Sequence, residues 1–319
     1  MTLRAHSRSA AFPCSGQAVV ALTATLAAIL TGAGGLLAAP AYAAPQEETV
    51  PEAEEAAGPT SEEVLEASEP SDWRRLEPQR TLYMELPGGR VVIELAPEFA
   101  PHHVRNAVTL ARQGYFDGLA VIRSQDNYVV QWGDPNADDP EERRSLDKAE
   151  ASLPAELDRP IRDDLPFTAL PDGDVYAPEV GFTGGFPVAR DPEASRTWLA
   201  HCYGMVGAGR DVSAGSGNGA ELYVVIGHAP RHLDKNVTLL GRVVQGMEVL
   251  STLPRGTGTL GFYEDPSEHV PVRSLRWGEE VPEAERAEIE LLKTDTETFE
   301  SWIDARRHRR EEWFLDPVG

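Results

Sequence analysis

The histidines, cysteines and glycine-rich runs are the residues whose types could carry chemistry, and their spacing decides against most of it. His102 and His103 are adjacent, so they cannot share a helix face as a metal pair would. They read as surface histidines. His201-Cys202 has no nearby ligand cluster and reads as a buried or capping pair. Gly207-Ala208-Gly209 starts a dinucleotide fingerprint but lacks its third glycine. Gly215-Ser216-Gly217-Asn218-Gly219 precedes a β-prone run, whereas a phosphate-cradling loop precedes a helix. The chain contains no G-x-S-x-G elbow, which weakens a hydrolase. Two cysteines, Cys14 and Cys202, exclude a disulfide scaffold and a Cys-rich zinc module. Taken alone, Arg123 is a sheet arginine awaiting an acidic partner.

The elements that would position these residues are mostly strands. Leu82 to Leu86 and Val91 to Leu95 flank Pro87-Gly88-Gly89, the pattern of a hairpin. Pro101 suits a first helical position, and Val104, Ala107, Val108 and Ala111 give one helical face ending at Gly114. Strands are expected at 121–123, 128–131, 222–226, 238–244 and 272–277. Many short strands with one clear helix argue for an antiparallel barrel or sandwich, not a doubly wound sheet.

The ends differ from the middle. Arg4 and Arg8 precede an apolar run from Ala18 to Leu30, and Ala41-Tyr42-Ala43 fits an A-x-A cleavage site. Residues 1–43 are therefore expected to be a signal peptide, with an uncleaved anchor as the alternative. The expected location is the periplasm or exterior of a bacterium, and the cleaved chain is not an integral membrane protein. Residues 44–79 hold 11 acids and 2 arginines and read as a flexible, proline-rich tether with no more than a short helical turn at Val64-Leu65. In 279–319 no Pro or Gly falls between Glu283 and Trp313, so a charged helix is expected there. It either packs back on the domain through Ile289, Leu292, Phe299, Trp302 and Ile303, or docks a partner.

One ungapped stretch is more specific. Gly114-Tyr115-Phe116-Asp117-Gly118 leads to Val121-Ile122-Arg123, then to Asn127-Tyr128-Val129-Val130-Gln131-Trp132-Gly133-Asp134-Pro135. It resembles the cyclophilin-type peptidyl-prolyl isomerases, where the run is G-Y-Y-D-G, F-H-R, N-F-M-I-Q-G-G-D-P. Asn218-Gly219-Ala220-Glu221-Leu222-Tyr223 looks like the family's N-G-S-Q-F-F. Leu233-Asp234 and Gly241 to Met247 look like later blocks, so the similarity runs from about Thr81 to Leu253.

The resemblance implies a mainly β fold over 80–278, a closed eight-stranded antiparallel barrel with capping helices. It implies a groove for proline-containing polypeptides, with no metal and no cofactor. Arg123 takes the place of the arginine that stabilises the twisted X–Pro amide, and Gln131 that of the glutamine beside it. Tyr128, Val129 and Tyr223 replace the apolar proline pocket. Gly209, Arg210, Glu221, His232 and Leu233 fall on further substrate-binding positions. Glu221 adds an acid that could draw Arg123 or Arg210 into an ion pair. These replacements leave two functions open, an isomerase of exported proteins or a weakly catalytic proline-peptide-binding module or chaperone. A hydrolase on an unrecognised Ser/His pair is a third and weaker one.

The segment 134–197 is longer than the family loop it replaces, rich in proline, and suited to client selectivity or to wrapping the barrel. The net charge of −23 argues against nucleic acid as a partner. It lies almost wholly in 44–79, 134–197 and 279–319, where 11, 16 and 13 acids face 2, 7 and 6 bases. The barrel itself is therefore balanced.

Overall fold

The computed structural model describes residues 58–311 and 313–314. The expected signal peptide and the start of the tether, 1–57, lie outside the described residues. No helix among the described residues is long and apolar enough to cross a membrane.

The described part of the tether, from residue 58, is folded. Helix α1 (Ser61–Glu66) is fixed by a capping box between Thr60 and Glu63, in which each residue satisfies a backbone donor at the helix start. Strand β1 (Trp73–Arg75) follows. The hairpin of β2 (Thr81–Leu86) and β3 (Gly89–Leu95) pairs Leu86 with Gly89 and Thr81 with Glu94. Helix α2 (Pro101–Arg112) opens on its proline and buries Val104, Ala107 and Leu110. Strands β4 (Ala120–Ser124) and β5 (Val129–Gly133) come next.

The proline-rich insertion is a folded layer, not a loop. Strands β6 (Arg159–Pro160), β7 (Thr168–Ala169), β8 (Glu179–Thr183), β9 (Phe186–Asp191) and β10 (Arg196–Leu199) form an antiparallel sheet in the order β6-β10-β9-β8-β7. Gly184 and Gly185, both at positive φ, make the tight β8–β9 turn that β-branched residues resist.

The body resumes with β11 (Met205–Ala208), β12 (Leu222–Val225) and β13 (Leu239–Gln245), then α3 (Met247–Ser251), β14 (Val270–Pro271) and β15 (Ser274–Trp277). The expected closed eight-stranded barrel is instead a curled sheet of nine strands, ordered β14-β4-β5-β12-β11-β13-β3-β2-β15. Among the described residues no ladder joins its edges. One continuous run supplies both, pairing with β4 over 270–271 and with β2 over 274–277. Pro271 lacks the amide a longer edge ladder would need. Leu82, Ile93, Trp132, Val224 and Leu240 fill the concave side with α2. On the convex side Val129, Tyr223, Val225 and Leu239 share a second core with Phe186, Val188 and Leu199 of the insertion.

The expected C-terminal helix is shorter than its composition indicated. Strand β16 (Glu290–Leu292) pairs with β1, and among the described residues beyond it only α4 (Glu297–His308) is helical. Pairing with β1 outweighs helix propensity over Glu290–Leu292, a common override for a short segment. Helix α4 packs back on the domain: Phe299 meets Phe182 of β8 edge-on at 5.1 Å, and Arg307 pairs with Asp172 at 2.7 Å.

Candidate active site

Strand register builds the centre of the site. Arg123 on β4 lies opposite Gln131 on β5, and Gln131 lies opposite Tyr223 on β12. Alternation sends Val130 and Trp132 into the concave core and Val129 and Gln131 to the convex face.

The Arg123 guanidinium is held from three sides. Its Nη1 donates to Gln131 Oε1 at 3.2 Å, its Nη2 to Gln125 Oε1, and its Nε to the Leu260 carbonyl at 2.7 Å. A guanidinium has five N–H donors, so these three contacts leave two. The Tyr128 and Phe262 rings flank it, with centroids 5.5 and 5.3 Å from Cζ, within cation–π range. Burial lowers its pKa from the ordinary value, yet arginine stays charged in proteins. Leu260 holds a left-handed φ of 57°. That conformation is uncommon outside glycine, asparagine and aspartate.

Gln131 is oriented from its other end. Its Nε2 donates to Glu221 Oε2 at 2.6 Å. Burial raises the Glu221 pKa; the Gln131 bond opposes this, and the charges of Asp138, Asp211 and Asp134 add to it. Glu221 thus meets Arg123 through Gln131, and neither ion pair anticipated for it is formed. Arg210 turns away and donates to the carbonyls of Asn236, Asp211 and Val212. Gly209 has no side chain for a reason: a Cβ there would lie 3.2 Å from Glu221 Cβ and 3.3 Å from Gln131 Nε2.

Beside this cluster lies the apolar floor. Val129 is 3% exposed and Tyr223 6%. Tyr128 is half-buried and forms the rim, its ring stacked with His232 at 6.4 Å between centroids. Leu233 is half-buried in the turn that carries His232 and does not belong to the core beneath the floor. Gly207 makes room for the Tyr223 ring, since a Cβ on it would sit 2.4 Å from Tyr223 Oη and Cζ.

A buried polar chain anchors Tyr223 from below. Tyr223 Oη is 2.8 Å from His201 Nε2, and His201 Nδ1 is 2.9 Å from Asp234 Oδ1. The carboxylate can only accept, so Nδ1 carries the proton and Nε2 accepts from the tyrosine. Burial lowers the His201 pKa, against the pull of Asp234, so the imidazole is neutral. Burial also raises the Tyr223 pKa, and the hydroxyl stays protonated. Asp234 Oδ2 accepts from Arg231 Nε at 2.6 Å, and Arg231 Nη1 donates to Asp174 Oδ2 at 2.6 Å. The chain therefore runs from the floor to the insertion. Cys202, next to His201, has its thiol pushed up to about 11 by burial and is protonated at neutral pH.

The histidine pair divides. His102 is exposed, but His103 is buried, with Nδ1 2.7 Å from Glu156 Oε2 and Nε2 3.0 Å from the Gly217 carbonyl. Glu156, from the insertion, also accepts the backbone N–H groups of His102 and His103 at 3.0 Å. It thereby caps the start of α2. No group of three or more His, Cys, Asp or Glu suited to a metal occurs among the described residues.

Gln125, Leu260 and Phe262 escaped the sequence reading; His201, expected to be buried or capping, is buried, but its link to Tyr223 and the role of Gly207 were not read. The first three orient Arg123. Leu260 and Phe262 lie beyond the last matching block, and His201 finds its partners 22 and 33 residues away.

Residues 81–276 match the family model described as "Cyclophilin type peptidyl-prolyl cis-trans isomerase/CLD". A "Probable peptidyl-prolyl cis-trans isomerase" of Brucella suis is 26% identical over 183 residues, 57% of this chain and 74% of that protein. A "Peptidyl-prolyl cis-trans isomerase-like 2" of Gibberella zeae is 45% identical over 53 residues, 17% of this chain and only 9% of that protein. A cyclophilin structure from Hirschia baltica aligns with a TM-score of 0.65 at 25% identity, covering 82% of this chain and 96% of that one.

Proposed function

The chain belongs to the cyclophilin-type peptidyl-prolyl cis-trans isomerases, and on that premise we propose that it accelerates cis/trans exchange at X–Pro bonds of polypeptide clients. Rotation about the amide faces a barrier of about 18–20 kcal/mol. Twisting breaks resonance and leaves a basic lone pair on the imide nitrogen. A fixed positive donor stabilises that lone pair more than the planar ground state. Arg123 is the donor in this reading, Gln131 the residue that orients it, and Val129, Tyr223 and Tyr128 the surface against which the proline ring lies. The observation that carries the proposal is the three-sided fixing of Arg123, with two N–H groups left over at the edge of an apolar floor. No nucleophile or cofactor enters such a mechanism.

The clients in this reading are proteins folding outside the cytoplasm. The N-terminal pattern Arg4, Arg8, the apolar run and Ala41-Tyr42-Ala43 supports it. Isomerisation of X–Pro bonds is slow enough to limit folding. Fractionation of cells expressing the full chain tests the location: recovery of the uncleaved chain in the cytoplasm would remove it.

A second function has its own support. With Val129 and Tyr223 almost fully covered, little floor is left to seat the proline ring against Arg123, which favours low turnover in a binding module that holds its peptide by other contacts. Peptide titration and a proline-isomerisation assay on the same sample separate the two. Binding without acceleration above buffer would establish the module and end the enzyme.

A further inference from the structure

A cleft of about 560 Å³ opens beside the rim of the floor, between the insertion loop 173–176 and the turn 228–232. We propose that it is a second peptide subsite, taking an aromatic or large aliphatic client side chain about two residues from the proline. The proposal rests on Tyr128 bordering the proline site, since Tyr128 lines the cleft as well. Tyr128 and His232 are the shared wall, with ring centroids 6.4 Å apart. A cleft that shares the Tyr128 wall with the proline site lies within reach of about two residues of extended chain, roughly 7 Å.

The far wall belongs to the insertion. Val175 is 94% exposed and Tyr176 53%, two large apolar side chains at the tip of an otherwise acidic segment. Exposed apolar surface rimming a concavity marks a contact site rather than a folding need. The walls are also tied in place before any ligand arrives. Asp174 Oδ1 accepts from the backbone of Tyr176 and Ala177 at 2.7 and 3.1 Å. Its Oδ2 accepts from Arg231, whose guanidinium lies 5.4 Å from the Tyr176 ring centroid. On the opposite side His228 N donates to Asn127 Oδ1 at 2.7 Å. Such tethering lowers the ordering cost of binding.

The electrostatics select a neutral side chain. Arg231 is bracketed by Asp174 and Asp234 and its side chain is only 11% exposed, so its charge is spent within the wall. Among the described residues lining the cleft no other Lys or Arg stands beside it, and the two aspartates oppose an acidic client residue. The same bracket reaches His201 and Tyr223 through Asp234, so one polar chain supports both the subsite and the proline floor.

The test uses the full chain and labelled alanine peptides with one central proline. Phe, Ala or Glu is placed two positions before or two positions after it, and affinity is read by fluorescence anisotropy. The expected result is about tenfold tighter binding for Phe than for Ala at one of the two positions, about 1.4 kcal/mol, with Glu no better than Ala. In the double variant Val175→Ser, Tyr176→Ser that ratio falls to near one. A ratio near one in the unaltered chain, no binding of any peptide, or a tenfold ratio that survives the double substitution overturns the subsite. Isomerisation of the alanine peptide, followed on the same samples, tests the activity separately.

Discussion

Replacing Tyr223 by Phe removes one oxygen from the most constrained part of the site. The ring that borders the floor remains, so the effect isolates the hydroxyl. That hydroxyl donates to His201 Nε2 at 2.8 Å, inside a region where His201 is wholly buried. Its loss leaves Nε2 an acceptor without a donor, because Nδ1 is committed to Asp234 at 2.9 Å. A buried group stranded in this way costs about 1–3 kcal/mol. For a chain of this size each kcal/mol shifts Tm by about 2–4 °C, so Tyr223→Phe should lower Tm by about 2–12 °C. Urea denaturation of Tyr223→Phe, His201→Leu and the double variant gives the coupling. It should be at least about 0.5 kcal/mol, because either single change strands the other partner. A Tm within 1 °C of the unaltered chain, or strictly additive effects, would refute the buried Tyr–His–Asp chain as described.

Other consequences follow from neighbouring contacts. Gly207→Ala places a Cβ 2.4 Å from the Tyr223 ring. Overpacking of this kind should cost about 1–3 kcal/mol and weaken proline-peptide binding, read by denaturation and titration. Glu221 has a raised pKa, so the folded chain holds its proton more tightly than the unfolded chain. That contribution is full below the ordinary carboxylate value of 4.5 and is lost as pH rises through the folded-state value. Glu221→Gln should therefore gain stability relative to the unaltered chain as pH climbs from 4.5 toward neutrality, seen in Tm against pH. Glu156 is the opposite case. Burial would raise its pKa, but its bonds from His103 and the backbone of His102 and His103 together hold it below 4.5. Its stabilisation is full above that value and is lost as pH falls through the lower folded-state value. The Tm difference between the unaltered chain and Glu156→Gln should shrink accordingly in acid.

Much of the sheet was readable because its strands alternate or run apolar between turn residues. Leu82 to Leu95 shows both a hairpin and its glycine turn. Arg123 and Gln131 were legible only as part of a spaced motif, since nothing local distinguishes Arg123 from a structural arginine. Three features were hidden for physical reasons. The β8–β9 hairpin around Gly184-Gly185 lies in a segment whose prolines and charge suggested a loop. Glu290–Leu292 has helical composition, yet β1 supplies it with a strand partner. Thr60 and Glu63 spell a capping box within a stretch whose acidity suggested a tether with no more than a short helical turn at Val64-Leu65. His201 shows the limit most clearly: its role depends on Tyr223 and Asp234, which the fold alone brings to it.

The central claim is that Arg123 stabilises the twisted imide. Exchange spectroscopy on an Ala-Pro peptide, with catalytic amounts of the full chain, measures cis/trans interconversion directly. The unaltered chain should raise the rate well above buffer. A charge-assisted bond made in the transition state is worth about 1.5–3 kcal/mol, so Arg123→Ala should cut kcat/KM by roughly 10- to 150-fold. Circular dichroism and Tm should show the variant folded. A variant that is folded and retains activity within about threefold of the unaltered chain would contradict the account.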